Sequence, residues 1–249
     1  MIDGYYPLAI RRVNRSAYWV GNTGFGALVM HIAADNSRKG GDDYLGSTPT
    51  KSAHLFVNKD GSVKQYVSVN DSAWANGISP LSGGARWLTP SGKVTTPRWK
   101  ALRASQNPNH YTISMEHQGN PEDVWTAPMF ATTVAIMKWL APIKGVAWWQ
   151  PGINLIGHGD INPLDKPFCP GPHCNFQALA LASNAKRMVA TSDATIYETP
   201  AINPTRVALN GAALLRQGWE CIIDMGYPNG MAHLADGLGF VEGCKLRAL

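Results

Sequence analysis

The sequence predicts an α/β fold, a mixed central β-sheet flanked by helices over residues 1–190, followed by a small all-β barrel over residues 191–249. Three observations carry this reading. Short apolar or alternating runs recur through the first 190 residues, as strands require. Stretches of helical period lie between them, which is the interleaving of an α/β layer arrangement. Beyond Thr191 the chain is cut into short segments by Pro200, Pro204, Gly211, Gly218, Pro228, Gly237 and Gly239, the texture of a small β-barrel.

Taken in order, Gly26-Ala-Leu-Val-Met-His31 is a short apolar run ending on a histidine, as expected of a buried strand that delivers a side chain to the sheet edge. Residues 53–69 read as a hairpin, with Asp60-Gly61 as the turn between His54–Val57 and Val63–Val67. Residues 76–110, rich in Gly, Pro, Ser and Asn, read as a long surface excursion. Tyr111–Glu116 alternates and places Thr112, Ser114 and Glu116 on one face. A helix over about 127–141 is predicted from Phe130, Val134, Met137 and Leu140. Asn154–Gly157 is a further short strand, ending at His158, and a last helix is expected over about 174–190. Thr191-Ser-Asp-Ala194 reads as the linker to the tail.

Composition narrows the function classes. The 249 residues carry a net charge of +5, and the tail from residue 192 holds four Lys/Arg against six Asp/Glu, leaving +7 on residues 1–191. A basic surface favours anionic polymers, yet no Lys/Arg-rich run or nucleic-acid motif is present, so no nucleic-acid partner is expected. Nine tryptophans suit carbohydrate or peptide grooves. Four cysteines, at 169, 174, 221 and 244, are too few and irregular for a disulfide scaffold, and free thiols are expected for Cys221 and Cys244. The start, Met-Ile-Asp-Gly-Tyr-Tyr, lacks a secretory signal, and no apolar run approaches the ~18 residues of a membrane span. The expectation is a chain synthesised in the cytoplasm, without a membrane partner.

The chemistry concentrates in fourteen residues, His158-Gly-Asp-Ile-Asn-Pro-Leu-Asp-Lys-Pro-Phe-Cys-Pro-Gly171. Pro163 and Pro167 exclude a helix across the run, so a loop tied at both ends gathers an imidazole, an ammonium and a thiol around one point. Imidazole and thiolate both suit zinc. His31 and His158 each end a short strand, and with Cys169 they make a set of three ligands that leaves a fourth position for water, the catalytic pattern. A fourth protein ligand from His173 or Cys174 would close the site and make it structural. Glu116, ending a strand on its polar face, is the candidate general base. Lys166, three residues before Cys169, is the candidate oxyanion stabiliser.

The ordered combination of His31, the Asp60-Gly61 hairpin, Ala73-Trp-Ala-Asn-Gly77, Asn107-Pro-Asn-His-Tyr-Thr-Ile-Ser-Met-Glu116 and His158…Lys166…Cys169-Pro-Gly171 resembles the zinc-dependent N-acetylmuramoyl-L-alanine amidases over about residues 5–190. The resemblance implies Zn2+ on His31, His158 and Cys169, Glu116 as base, Lys166 as oxyanion stabiliser, and Trp74 and Asn76 as substrate-binding residues. It also implies hydrolysis of the amide joining muramic acid to L-alanine, with bacterial peptidoglycan as partner; the basic charge of residues 1–191 favours anionic wall polymers as a further partner. Three positions depart from the family pattern. Pro167 and Phe168 separate Lys166 from the third ligand, where many members have one residue. Ala53 stands where some members have a catalytic tyrosine, and Trp74-Ala-Asn-Gly77 replaces the usual Trp-His-Ala-Gly. His54 is expected in the core or behind the ligands.

The tail, from Ala194-Thr-Ile-Tyr-Glu-Thr-Pro200 to Asp236-Gly-Leu-Gly-Phe-Val241, is similar to bacterial Src-homology-3-like barrels that bind cell walls. Together these resemblances imply a phage or prophage endolysin that acts on the host cell wall after release. The alternatives are a non-catalytic peptidoglycan-binding protein and a cytosolic muropeptide-recycling amidase.

Overall fold

The computed structural model describes residues 3–14, 16–36, 45–82 and 86–184, and in the C-terminal portion residues 186–190, 192, 194–195, 214–215, 220–226, 231–234, 239–242 and 246–248. Two compact units divide the chain, Met1–Leu179 and Ala180–Leu249.

The first unit is built on a six-stranded mixed sheet. Its strands are β1 (Ile10–Arg11), β2 (Ala27–Ile32), β3 (Leu55–Val57), β4 (Val63–Gln65), β5 (Thr112–His117) and β6 (Leu155–Gly157), in the order β1-β4-β3-β5-β2-β6. Only the β3–β4 hairpin is antiparallel; β1, β5, β2 and β6 pair with their neighbours in parallel. All six residues of β2 are buried, as parallel strands covered on both faces require. The hairpin turns where Asp60-Gly61 predicts, with the Gly61 N–H donating to the Asn58 carbonyl at 2.9 Å.

Helix α1 (Ala127–Lys144) starts at Thr126, whose hydroxyl accepts the Met129 N–H at 3.3 Å, and stops at Gly145 in the left-handed region. Its buried stripe is Met129, Thr133, Ile136, Met137 and Leu140, so Met129 and Thr133, not Phe130 and Val134, face inward. The hydrophobic period alone allowed both phases. His117 on β5 selects one, by placing its Nε2 3.1 Å from the Thr133 hydroxyl. Tyr111, Trp99, Trp87, Val29 and Ile156 form one core cluster; Phe56, Tyr66 and Ala53 belong to a second. Within the excursion, Ser79–Pro80, Trp87–Leu88 and Val94–Thr95 pair as a three-stranded meander, so this stretch is more ordered than a loop.

Two expectations require correction. The first residues of the fourteen-residue run form a single helical turn, α2 (His158–Ile161), before Pro163. Asp160 permits it, because its carboxylate accepts the Gly157 N–H at 2.9 Å and caps the turn. The last helix, α3 (Phe176–Asn184), ends at Ser183-Asn184, both poor helix formers, and Lys186–Ala190 is a strand. That strand pairs with Glu220–Gly226 and Leu246–Ala248, so long-range partners override the local pattern.

In the second unit the described strands form an antiparallel sheet in the order Gly239–Glu242, Met231–Leu234, Glu220–Gly226, Lys186–Ala190, Leu246–Ala248. Among the described residues nothing pairs the two outer strands, so no closure into a barrel is seen. The predicted Tyr197–Pro200, Leu209–Gly211 and Gly218-Trp219 signals, and Cys244, lie outside the described residues. No described helix is long and apolar enough to cross a membrane.

Candidate metal centre

Sheet register brings the site together. On β2, His31 is the register partner of Glu116 on β5, and Met30 is the partner of Gly157 on β6. His158 follows Gly157 directly, so both histidines and the glutamate come to the same end of three adjacent parallel strands. The two imidazoles lie with ring centroids 4.4 Å apart and tilted by 56°. The thiol of Cys169 accepts the Ile32 N–H at 3.3 Å, which ties the loop to β2 one residue beyond His31. Ligand atoms of His31, His158 and Cys169 lie within 4.8 Å of one another, and this is the one such group among the described residues.

The loop that delivers Cys169 is held by backbone bonds. Lys166 donates to the Asn162 carbonyl at 3.0 Å, Cys169 to the Lys166 carbonyl at 3.2 Å, and Gly159 to the Cys169 carbonyl at 2.9 Å. Lys166–Cys169 is therefore a β-turn with Pro167 at its second position, where proline's fixed φ favours it. This turn answers the two-residue spacing. It folds Lys166 back to line the same cleft as Cys169 and presents Phe168 outward, 75% exposed. Two glycines are required by close approach. A Cβ on Gly159 would meet the Lys166 carbonyl oxygen at 2.9 Å, and one on Gly171 (φ +93°) would meet the Pro121 carbonyl oxygen at 2.1 Å.

Burial favours the neutral forms of the three donors. Burial holds His31 well below the usual histidine range, reinforced by His158 and His117, and holds His158 at about 4. Burial pushes the Cys169 thiol up to about 12, with Glu116 adding to the shift. Glu116 is raised to about 7 by burial, against the pull of Lys166 and Lys51. The 3.8 Å contact between His31 Nδ1 and Glu116 Oε1 is therefore no strong ion pair. The buried His31 Nε2 and Glu116 Oε2 have no hydrogen-bond partner. Two imidazoles and a thiol gathered at one point of the cleft, with buried polar atoms left unsatisfied, fit a bound cation that would stabilise the thiolate.

The Nε2 of His158 lies 3.1 Å from the Asn76 carbonyl. A carbonyl only accepts, so Nε2 carries the proton and Nδ1 keeps its lone pair for a metal. The cleft around these groups has a volume of about 1350 Å3 and is lined by His31, Glu116, His158, Lys166, Phe168 and Cys169, among others.

Comparison with known proteins places this geometry. The sequence pattern of the family described as N-acetylmuramoyl-L-alanine amidase matches residues 22–172, more than half of the chain. The chain belongs to this amidase family. It is 27% identical over 141 residues to the 1,6-anhydro-N-acetylmuramyl-L-alanine amidase AmpD of Salmonella typhimurium, covering 55% of this chain and 61% of that protein. The AmpD of Escherichia coli strain K12 is likewise 27% identical, over 49% of this chain and 52% of its own length. The chain thus spans between half and two thirds of the curated relatives it matches. A crystal structure of a selenomethionine AmpD derivative shares the fold, with a TM-score of 0.52 at 20% identity over 72% of this chain and 98% of that one.

Within the amidase region, the structure gathers Glu116, Lys166, His31, His158 and Cys169 in one cleft. Trp74 also lines it and packs on Trp19 with ring centroids 5.0 Å apart. Asn76 is fully buried; its side chain donates inward to the Thr112 hydroxyl at 2.8 Å, and its carbonyl is what serves the site. His173 is exposed and Cys174 buried, and neither joins the ligand cluster. His54 is a core residue, its Nδ1 accepting the Ser114 N–H.

Sequence reasoning missed the clamp between the excursion and the metal loop, where Asp165 accepts the Ser91 hydroxyl at 2.6 Å. It also missed Asn109, whose carboxamide oxygen holds the Ala75-Asn76 backbone. Asn107-Pro-Asn109 carried a signal for the second, since Asn before a Pro-started turn is a capping pattern.

Proposed function

We propose that this chain hydrolyses the amide bond between N-acetylmuramic acid and L-alanine in peptidoglycan, with zinc held by His31, His158 and Cys169. The observation that carries the reading is the convergence of three donors in one cleft with Glu116 beside them, in a chain of the amidase family. Two nitrogens and a sulfur are the donor chemistry of zinc, and three protein ligands are the catalytic count. Zinc bound there would polarise the scissile carbonyl and lower the pKa of a water to about 7.

Glu116 accepts the proton of the attacking water and returns it to the leaving nitrogen. Its burial, which sets the carboxyl at about 7, suits a group that must both take and give a proton near neutrality. Lys166 directs positive charge into the cleft toward the oxygen that becomes negative. Trp74 provides an apolar wall for the substrate.

A chelator should abolish the release of new amino termini from peptidoglycan, and zinc should restore it. Glu116→Ala should lower kcat by about 10²–10⁴-fold while zinc content stays unchanged. Zinc-loaded protein that binds peptidoglycan but releases no amino terminus would sink the catalytic reading and leave a binding protein.

The biological setting proposed is a phage or prophage endolysin, synthesised in the cytoplasm and acting on the host wall after release. In this setting the C-terminal unit is a wall-binding, Src-homology-3-like barrel. The +7 charge on residues 1–191 supports attraction to anionic wall polymers. A second reading, recycling of small muropeptides, is favoured by the curated relatives named for 1,6-anhydro-N-acetylmuramyl-L-alanine. Parallel assays on whole sacculi and on soluble anhydro-muropeptides separate the two.

A further inference from the structure

The imidazole of His158 meets the carbonyl of Asn76, and Asn76 is itself held. Asn76 is fixed at three points. Its carbonyl lies 3.1 Å from His158 Nε2. Its carboxamide nitrogen donates to the Thr112 hydroxyl at 2.8 Å, and that hydroxyl donates to the Pro108 carbonyl at 2.8 Å. Its backbone N–H donates to Asn109 Oδ1 at 2.9 Å, and the same oxygen takes the Ala75 N–H at 3.2 Å.

Asn109 is 5% exposed and sits in the short 3-10 turn Pro108–His110, where its own N–H donates to Asn107 Oδ1 at 3.0 Å. One carboxamide oxygen thus receives two successive backbone N–H groups and anchors the Ala75–Asn76 peptide, directly before the carbonyl that meets His158. With the Asn76 side chain held on Thr112 as well, the residue is fixed on both its backbone N–H and its side chain, which holds its carbonyl toward His158. The turn that carries Asn109 runs into β5, the strand of Glu116. The same short segment therefore governs both the candidate base and the orientation of a ligand that reaches the site from β6.

We propose that Asn109 is a positioning residue for the metal site, acting through the Asn76 carbonyl to hold His158 as the Nε2–H tautomer with Nδ1 turned to the metal. The inference rests on the metal reading above for its consequence, but the tautomer it sets is a property of the metal-free chain. Without the Asn109 oxygen, the buried Asn76 N–H and the part-buried Ala75 N–H lose their acceptor and the 75–76 backbone is released to seek others. The Asn76 carbonyl then leaves its line to Nε2, and His158 samples both tautomers. Loss of an outer hydrogen-bond partner to a ligating histidine lowers metal affinity by about 10–100-fold. Asn109 acts one bond further away, so the low end, about 10-fold, is expected.

The experiment reads two quantities in the full chain. Long-range ¹H–¹⁵N correlation on the metal-free protein gives the His158 tautomer, and competition with a chromophoric chelator gives the Zn2+ dissociation constant. Wild type should show the Nε2–H form. Asn109→Ala should show mixed tautomers and about 10-fold weaker Zn2+ binding. Asn109→Asp, which keeps an acceptor oxygen in place, should restore both. Should Asn109→Ala not fold, Asn109→Ser removes the reach while keeping a polar group and takes its place.

An Nδ1–H tautomer at His158 in the wild type overturns the inference outright. So does a folded Asn109→Ala or Asn109→Ser protein with unchanged tautomer and unchanged affinity. If the wild type binds no Zn2+ while the tautomer shifts as stated, the positioning role stands and the zinc reading fails.

Discussion

Acid should destabilise the amidase unit through His54, a residue that touches no ligand but supports the strand carrying Glu116. Its side chain is fully buried. Nδ1 accepts the Ser114 N–H at 3.0 Å, and Nε2 donates to the Asp71 carbonyl at 3.1 Å. Both ring nitrogens are committed in the neutral form. Protonation would put a second hydrogen against the Ser114 N–H and a charge into the core. Burial accordingly lowers the His54 pKa from 6.5 to about 4, partly offset by the Asp71 carbonyl.

The sign follows from proton counting. Between pH 6.5 and about 4 the unfolded chain binds a proton at this site and the folded chain does not. Stability from His54 is therefore full above 6.5 and is lost as pH falls through the window. With ~1.4 kcal/mol for each pH unit, the loss by pH 4 is about 3 kcal/mol. Urea unfolding at pH 7.5, 6, 5 and 4, with chelator throughout, should show wild type losing about 3 kcal/mol more than His54→Gln over that range. His117, likewise held at about 4 by burial, contributes equally to both proteins and cancels. Parallel losses in the two proteins would refute the assignment.

Three further outcomes are expected. Gly171→Ala places a Cβ 2.1 Å from the Pro121 carbonyl oxygen at a φ of +93°, and should lower stability by about 1–3 kcal/mol in urea unfolding. Weaker Zn2+ binding should accompany it, since Gly171 lies two residues beyond Cys169. Thr126→Ala removes the α1 cap and should cost about 1 kcal/mol without changing Zn2+ affinity. Phe168→Ala, at a side chain 75% exposed on the cleft rim, should leave the unfolding midpoint unmoved; a raised KM at constant kcat would show that the ring contacts substrate.

Much of the site was legible because its residue types are rare together. His31, His158, Cys169 and Glu116 could be singled out one by one, each at the end of an apolar strand or in a proline-bounded loop. The hairpin at Asp60-Gly61 and the strands around Val29, Met115 and Ile156 were equally legible, since turn chemistry and apolar runs are local. Lys166 was singled out from the sequence and lines the cleft, but the consequence of Pro167-Phe168 was not legible. Spacing alone does not reveal that a β-turn reverses the chain there. Asn76 was singled out for substrate, and the further contact of its carbonyl with His158 Nε2 was not legible, because it joins residues 82 positions apart. The strand at Lys186–Ala190 was read as helix because five residues of mixed character satisfy both periods.

The sequence by itself determined which donors were available and roughly which element each would end. Those properties depend on residues within a few positions of one another, where turn propensity and periodicity act. Only the tertiary structure decided that Glu116 and His158 flank His31, because parallel register joins residues some 85 and 127 positions apart. It also decided that Asn109 meets the Ala75-Asn76 backbone, whose Asn76 carbonyl lies against His158. Such choices rest on buried hydrogen bonds between distant segments, and those bonds exist only once the strands are packed side by side.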